Sequence, residues 1–148
     1  MSTTASVPFE TTLHVRDTCL CLHTQRAARR LARRFDEALR PFGLTNGQFS
    51  LLMSLNRPAP ARMGAVAALL AMDRTTLTAA LKPLERRGLV RVEPDPADRR
   101  GRRLSLTPEG LEVLARAVPV WTRVHAEIEA ALPEDGAGAL RRGLAALG

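Results

Sequence analysis

The sequence predicts a mainly α-helical chain carrying one small β-hairpin. Three observations carry that prediction. Apolar residues recur at helical spacing through most of the chain, whereas the stretch from Leu89 to Leu106 changes to alternation. Capping residues open the helical runs at Thr45, Asp73 and Thr107, and Pro41, Pro58 and Gly88 stand where runs stop. The length, 148 residues, fits one domain able to bury a core.

Residues 1–12 are small and polar without periodicity, which predicts a flexible arm. From Leu13 to Leu39 the positions Leu20, Ala27, Leu31, Phe35 and Leu39 form one apolar face, predicting a single long first helix that ends before Pro41 and Gly43. Thr45 and Gln48 have the spacing of a capping box and predict a second helix through Phe49, Leu52 and Met53, stopped by the Arg57–Pro60 segment. Met63 to Leu70 follows as a short third helix. Asp73 can cap a fourth, whose Leu77, Ala80, Leu81 and Leu84 face the core, with a bend expected at Pro83. Gly88 ends it. Leu89–Glu93 and Leu104–Leu106 then alternate as two strands around a turn-rich tip, PDPADRRG, predicting a hairpin with a long tip. Thr107 and Pro108 open a helix bearing Leu114, Val118 and Trp121, kinked at Pro119. Pro133 to Asp135 opens a last helix with the stripe Leu140, Leu144 and Leu147.

The fourth helix and the hairpin look like a nucleic-acid reader. Opposite its apolar stripe the helix carries Thr75, Ala79, Lys82 and Arg86, flanked by Arg74, Thr76 and Thr78. Short hydroxyls and bases suit a major groove, where Thr reaches base edges and Arg pairs with guanine. A solvated surface helix would look the same. The hairpin weighs against that reading, because Arg99, Arg100, Arg102 and Arg103 crowd around Gly101 and repel one another unless an anion lies nearby. An arginine placed in a narrow minor groove supplies that anion.

Helix, turn, reader helix and basic hairpin together resemble the winged helix-turn-helix of the MarR family of bacterial transcription regulators. The wing run Asp98-Arg99-Arg100-Gly101-Arg102-Arg103-Leu104-Ser105-Leu106-Thr107 fits that family's pattern, with DRTTLT and LERRGLV upstream. The resemblance runs from about residue 13 to the end. It departs at Ala71, where the family often has glycine, and at Ala79, where many members carry a longer polar side chain. It implies a wing held by Asp98 and Arg100, Arg99 in the minor groove, and dimerisation helices at both ends. The organisation expected is an arm over 1–12, a first dimerisation helix and linker over 13–44, a DNA-binding winged region over 45–106, and dimerisation helices over 107–148. Neither terminal helix has an internal partner for all its apolar residues, and pairing them between two chains would set two reader helices about one DNA turn apart on a pseudo-palindromic duplex.

The resemblance also implies a small effector, usually one that releases a repressor from DNA. Its site is expected where the first, second and Trp121-bearing helices meet, with His23, Arg26 and Arg30 as cations and Phe49 and Met53 as apolar contacts for an aromatic or anionic ligand. Cys21 offers a rival reading as a peroxide-sensing thiol with Cys19 beside it, since it resembles in place the reactive cysteine of one MarR branch. That branch holds its thiolate with tyrosines. This chain has none, and Gln25 and Phe35 occupy their places.

Composition narrows the function classes. Net charge is +7, and residues 73–107 hold nine basic against five acidic side chains while residues 16–40 hold seven against three, which favours a polyanion partner. The five arginines from Arg26 to Arg34 on the first helix read as a solvated face. No run of 18 apolar residues occurs and no positive leader precedes an apolar stretch, so the expectation is a cytoplasmic protein with free thiols and no membrane partner. Cys19 and His23 share a helical face while Cys21 points away, so no one-helix metal site is expected. No catalytic motif or cofactor signature is present, which argues against an enzyme. A competing class is a winged-helix protein-interaction module without an operator. Clustered arginines disfavour it, because protein interfaces rarely gather so many like charges.

Overall fold

The computed structural model describes residues 3–148 and contains α1 (Phe9–Thr18), α2 (Leu20–Leu39), a 3-10 turn (Arg40–Phe42), α3 (Asn46–Ser54), β1 (Ala61–Arg62), α4 (Met63–Leu70), α5 (Arg74–Arg86), β2 (Val90–Asp95), β3 (Asp98–Leu106), α6 (Pro108–Ala130) and α7 (Gly136–Ala145). Backbone contacts divide the chain into a unit ending at Arg34, within α2, and a larger unit spanning Phe35–Gly148.

In the first unit, the predicted single helix is two. The helix begins at Phe9, inside the stretch expected to be an arm, and breaks at Cys19, whose backbone is extended. The Thr18 hydroxyl donates back to the His14 carbonyl at 2.6 Å, and the Leu22 amide donates to Cys19 Sγ at 3.5 Å, so the thiol side chain caps α2. The apolar stripe does not register such a break, since it starts at Leu20, just beyond it. No residue of α1 is buried, and Leu20 and Leu31 remain 67% and 41% exposed.

In the second unit, the core gathers Leu39, Leu51, Leu52, Val66, Leu77 and Leu84 with Leu104 and Leu114, all nearly inaccessible. Helix α3 packs on α4 and α6, while α5 packs on α4 and β2. The capping box forms as read, with the Gln48 amide donating to Thr45 Oγ1 and the Thr45 amide donating to the Gln48 side chain, both at 3.1 Å. The Asn46 amide and side chain both donate to Asp36 Oδ1, at 2.7 and 2.8 Å. These two bonds hold the Asp36 carboxyl below its ordinary pKa. Helices α5 and α6 are each continuous through their internal prolines, Pro83 and Pro119. Between α4 and α5 the chain turns through Ala71 at φ 53°, ψ 40°, a left-handed conformation ordinarily reserved for glycine.

The sheet has three strands, in the order β1-β3-β2 and antiparallel throughout. Two-residue β1, hidden in sequence among prolines, pairs Ala61 with Leu104 and Arg62 with Arg103. The long tip expected for the hairpin is absent, because β2 extends to Asp95, β3 starts at Asp98, and only Pro96 and Ala97 make the turn. Asp95 explains the difference. Its side chain is buried, accepts from the Ala97 amide at 3.0 Å and lies 3.4 Å from Arg103 and 3.7 Å from Arg62, closing the hairpin that repulsion would open. Among the described residues, no single helix is long and apolar enough to cross a membrane.

Candidate nucleic-acid interface

Helix α5 starts where its cap dictates. The Thr76 amide donates to Asp73 Oδ1 at 2.7 Å, and the amide and hydroxyl of Thr76 hold this exposed carboxyl below its ordinary pKa, helped by the Thr75 amide. Leu77, Leu81 and Leu84 turn inward at zero to 3% exposure, which obliges the other side of the helix to face solvent. Arg74, Thr75, Thr76, Thr78, Lys82 and Arg86 are all exposed there. The Thr78 hydroxyl donates to the Arg74 carbonyl at 2.7 Å and lies 3.8 Å from Met63 Sδ. Gly88, at φ 72°, ends the segment, and the Leu89 amide closes back on the Leu84 carbonyl.

Strand alternation divides the four wing arginines. Arg100 and Arg102 share the parity of Leu104 and Leu106, and they line one cavity of about 390 Å³ together with Arg74, Thr78, Lys82 and Glu85 of α5. Arg99 lies on the opposite parity, exposed at the end of the wing. Arg103 is half-buried and committed to Asp95, so it is a strut of the wing rather than a free cation. The pairing expected between Asp98 and Arg100 is made to the backbone: the Arg100 amide donates to Asp98 Oδ1 at 3.0 Å. The wing's shape is therefore held by Asp95 with Arg62 and Arg103. Arg62 was missed by sequence reasoning, because only the pairing of β1 brings it to the wing.

The remaining site residues are divided between the two units of the chain. His23, Arg26 and Arg30 are exposed on α2, where His23 Nε2 lies 3.0 Å from the Asp17 carbonyl. Phe49 and Met53, on α3, line a separate apolar cavity of about 430 Å³ with Ser50, Ser54, Leu69, Val118, Trp121 and Thr122. Trp121 stacks on Phe49 at 6.1 Å, on Phe35 at 6.4 Å and on His125 at 4.6 Å. Cys21 is exposed and receives a hydrogen bond from Gln25 Nε2 at 3.3 Å, while Cys19 is half-buried.

Comparison with known proteins places this geometry. Residues 44–101 match the model of the MarR family. The M. tuberculosis transcriptional regulator MOSR, solved in complex with DNA, is 43% identical, with 88% of this chain and 93% of that one covered at a TM-score of 0.80. The transcriptional repressor CouR, bound to a 23-mer DNA duplex, is 30% identical over 97% of this chain and 99% of that one, with a TM-score of 0.79. The transcriptional regulator HosA of Escherichia coli O111:H- is 36% identical over 57% of this chain, which spans 62% of that relative's length.

Proposed function

This chain belongs to the MarR family, and from that premise we propose that it is a homodimeric, sequence-specific DNA-binding regulator, a repressor released by a small effector. One observation carries the DNA-binding reading: Arg74, Thr78 and Lys82 of α5 and Arg100 and Arg102 of β3 converge on a single cavity while their carbon neighbours are sealed in the core. Rigid elements thus offer hydroxyls to base edges and guanidinium groups to phosphates, with Arg99 free at the wing end for the minor groove. Uncovered apolar side chains toward both ends of the chain support the dimer, among them Leu20 of α2 at 67%, Leu140 of α7 at 49% and Leu147 just past α7 at 58% exposure.

The test is selection of duplexes from a random pool, followed by anisotropy titration at several salt concentrations. The expected product is a pseudo-palindrome with half-sites about one helical turn apart and an affinity that falls steeply with salt. A monomer in light scattering that still binds one half-site refutes the dimer, and binding insensitive to salt returns the wing to the protein-interaction class.

The apolar cavity under Trp121 supports the effector reading, since it has the size of small-ligand sites. Such a ligand releases DNA only by preferring a dimer whose readers are wrongly spaced, because equal affinity for both states shifts nothing. A second reading rests on the thiols. Gln25 supplies to Cys21 a donor at a place where the peroxide-sensing branch has tyrosine. Peroxide that releases DNA from the wild type but not from Cys21→Ser, with no response to ligands, would establish it over the effector.

A further inference from the structure

We infer that Arg62 is a phosphate-binding residue of the DNA interface, taking a backbone phosphate in the cleft between the start of α4, the start of α5 and the wing. The inference rests on the DNA-binding reading above and adds to it a contact from β1, an element outside the helix and hairpin that carry that reading.

Local chemistry argues against an arginine at this position. Arg62 is the N-cap of α4, a place that favours a short oxygen acceptor, and its side chain makes no capping bond. A guanidinium group there also sits at the positive end of the α4 dipole. Across the sheet its register partner is Arg103, so two like charges stand opposite each other on neighbouring strands. Asp95 answers this only in part. Its one carboxylate serves both arginines, and the shares are unequal: Arg103 lies 3.4 Å away with its side chain 38% exposed, whereas Arg62 Nε lies 3.7 Å away with its side chain 71% exposed. Two cations on one anion leave a net positive charge, and Arg62 is the partner held more loosely and more open to solvent.

The surroundings supply a place for an anion. Arg62 lines a cleft of about 410 Å³ together with Arg74, from the first turn of α5, and Arg102, from β3. Three guanidinium groups thus come from three separate elements. Gly64 and Ala65 on the α4 side have no long side chain to fill the cleft, and a Cβ at Gly64 would meet nothing within 4 Å. Asp95 and Asp98 line it too, but the first is shared by two arginines and the second accepts the Arg100 amide at 3.0 Å. Arginine meets a phosphate with paired N–H donors. Because Arg74 and Arg102 belong to the helix and the wing that face DNA in the reading above, the phosphate is one on the strand that passes between those two elements.

The test uses the full chain and the selected operator, in which each phosphate in turn is replaced by an uncharged methylphosphonate. Wild type, Arg62→Thr, Arg62→Lys and Arg103→Gln are titrated by anisotropy across a range of salt concentrations, and their melting is followed by circular dichroism. Arg62→Thr supplies the missing cap, so its melting temperature should hold or rise while its binding weakens on operator and random duplex alike. The slope of log affinity against log salt should fall by about 0.9 for each half-site, or ~8-fold in affinity at 0.1 M salt, the share of one phosphate. Arg62→Lys, which keeps the charge, should keep the slope. One methylphosphonate position in each half-site should weaken the wild type and leave Arg62→Thr unaffected, and Arg103→Gln, which disturbs the wing through Asp95, should still respond there. A methylphosphonate profile shared by Arg62→Thr and Arg103→Gln overturns the assignment and leaves Arg62 a strut of the wing. An unchanged slope in Arg62→Thr beside a steep one in the wild type overturns the assignment alone. Wild-type binding that is insensitive to salt overturns the DNA-binding reading and this inference together.

Discussion

Gly110→Ala, a one-carbon change, should weaken the protein substantially because of where the first turn of α6 lies. A Cβ at Gly110 would overlap the Leu89 carbonyl oxygen and sit 2.9 Å from its carbon and 3.3 Å from its Cα, all of them backbone atoms that no rotamer change can move. Restoring ordinary contact requires α6 and the start of β2 to separate by roughly 1 Å. That junction is also pinned: the Thr107 amide donates to the Leu89 carbonyl at 3.1 Å, the Thr107 hydroxyl donates to the Gly88 carbonyl, and the Gly110 amide donates to Thr107 Oγ1 at 3.0 Å. Losing two of these bonds costs about 1–3 kcal/mol and the overpacking itself a further ~1–3 kcal/mol, against a gain of about 1 kcal/mol from replacing a helical glycine by alanine. The net expectation is a loss of about 1–5 kcal/mol. Because Gly88 ends the reader helix, operator affinity should fall with it. Gly64→Ala in α4 makes the same chemical change where a Cβ meets nothing within 4 Å, and it should stabilise by about 0.5 kcal/mol. Urea denaturation followed by circular dichroism measures both, and the melting temperature should move by about 2–4 °C per kcal/mol. A Gly110→Ala protein as stable as the wild type would refute the reasoning, since the junction would then be loose enough to absorb a side chain.

Ala71→Gly should raise stability by up to about 1 kcal/mol in the same assay, because relief of the left-handed alanine exceeds the entropy that glycine adds to the unfolded chain; a clear loss would show that the turn is not strained. Asp95→Ala frees Arg62 and Arg103 and orphans the Ala97 amide, so about 1–2 kcal/mol of stability and most of the wing's contribution to operator affinity should be lost, whereas Asp98→Ala should cost less; the reverse order in anisotropy titrations would move the wing's anchor to Asp98. Arg99→Ala should weaken binding to most sequences and soften the salt slope, while Arg74→Ala should cost roughly 1–3 kcal/mol mainly at the selected operator, and equal effects on all sequences would remove Arg74 from base reading. Asp36 and Asp73 both have lowered folded pKa values, so their contribution is present above the ordinary value of 3.8 and is lost as pH falls through the lower folded values; Asp73→Asn keeps a cap without a titrating group and should flatten the acid loss of stability below that pH, an expectation that an unchanged acid transition would contradict.

Local chemistry alone determined most of the helical framework and the reader. Thr45, Asp73 and Thr107 cap helices where their side chains predict, Met63–Leu70 and the inward leucines of α5 follow from period, and Gly88 stops the reader, because each depends on atoms a few residues away along one chain. The exposed reading face followed by elimination once Leu77, Leu81 and Leu84 were turned inward. Tertiary structure decided what involves distant partners. Strand β1 is two residues long and carries no alternation to detect, and only its pairing with β3 brings Arg62 to the wing. The hairpin tip looked long because proline, aspartate and glycine are turn residues in any local reading. Asp95, buried between two arginines far apart in sequence, makes most of that segment strand. The break at Cys19 was invisible because the apolar stripe starts only at Leu20, beyond it, and the bond from the Thr18 hydroxyl to the His14 carbonyl has no signature in the pattern.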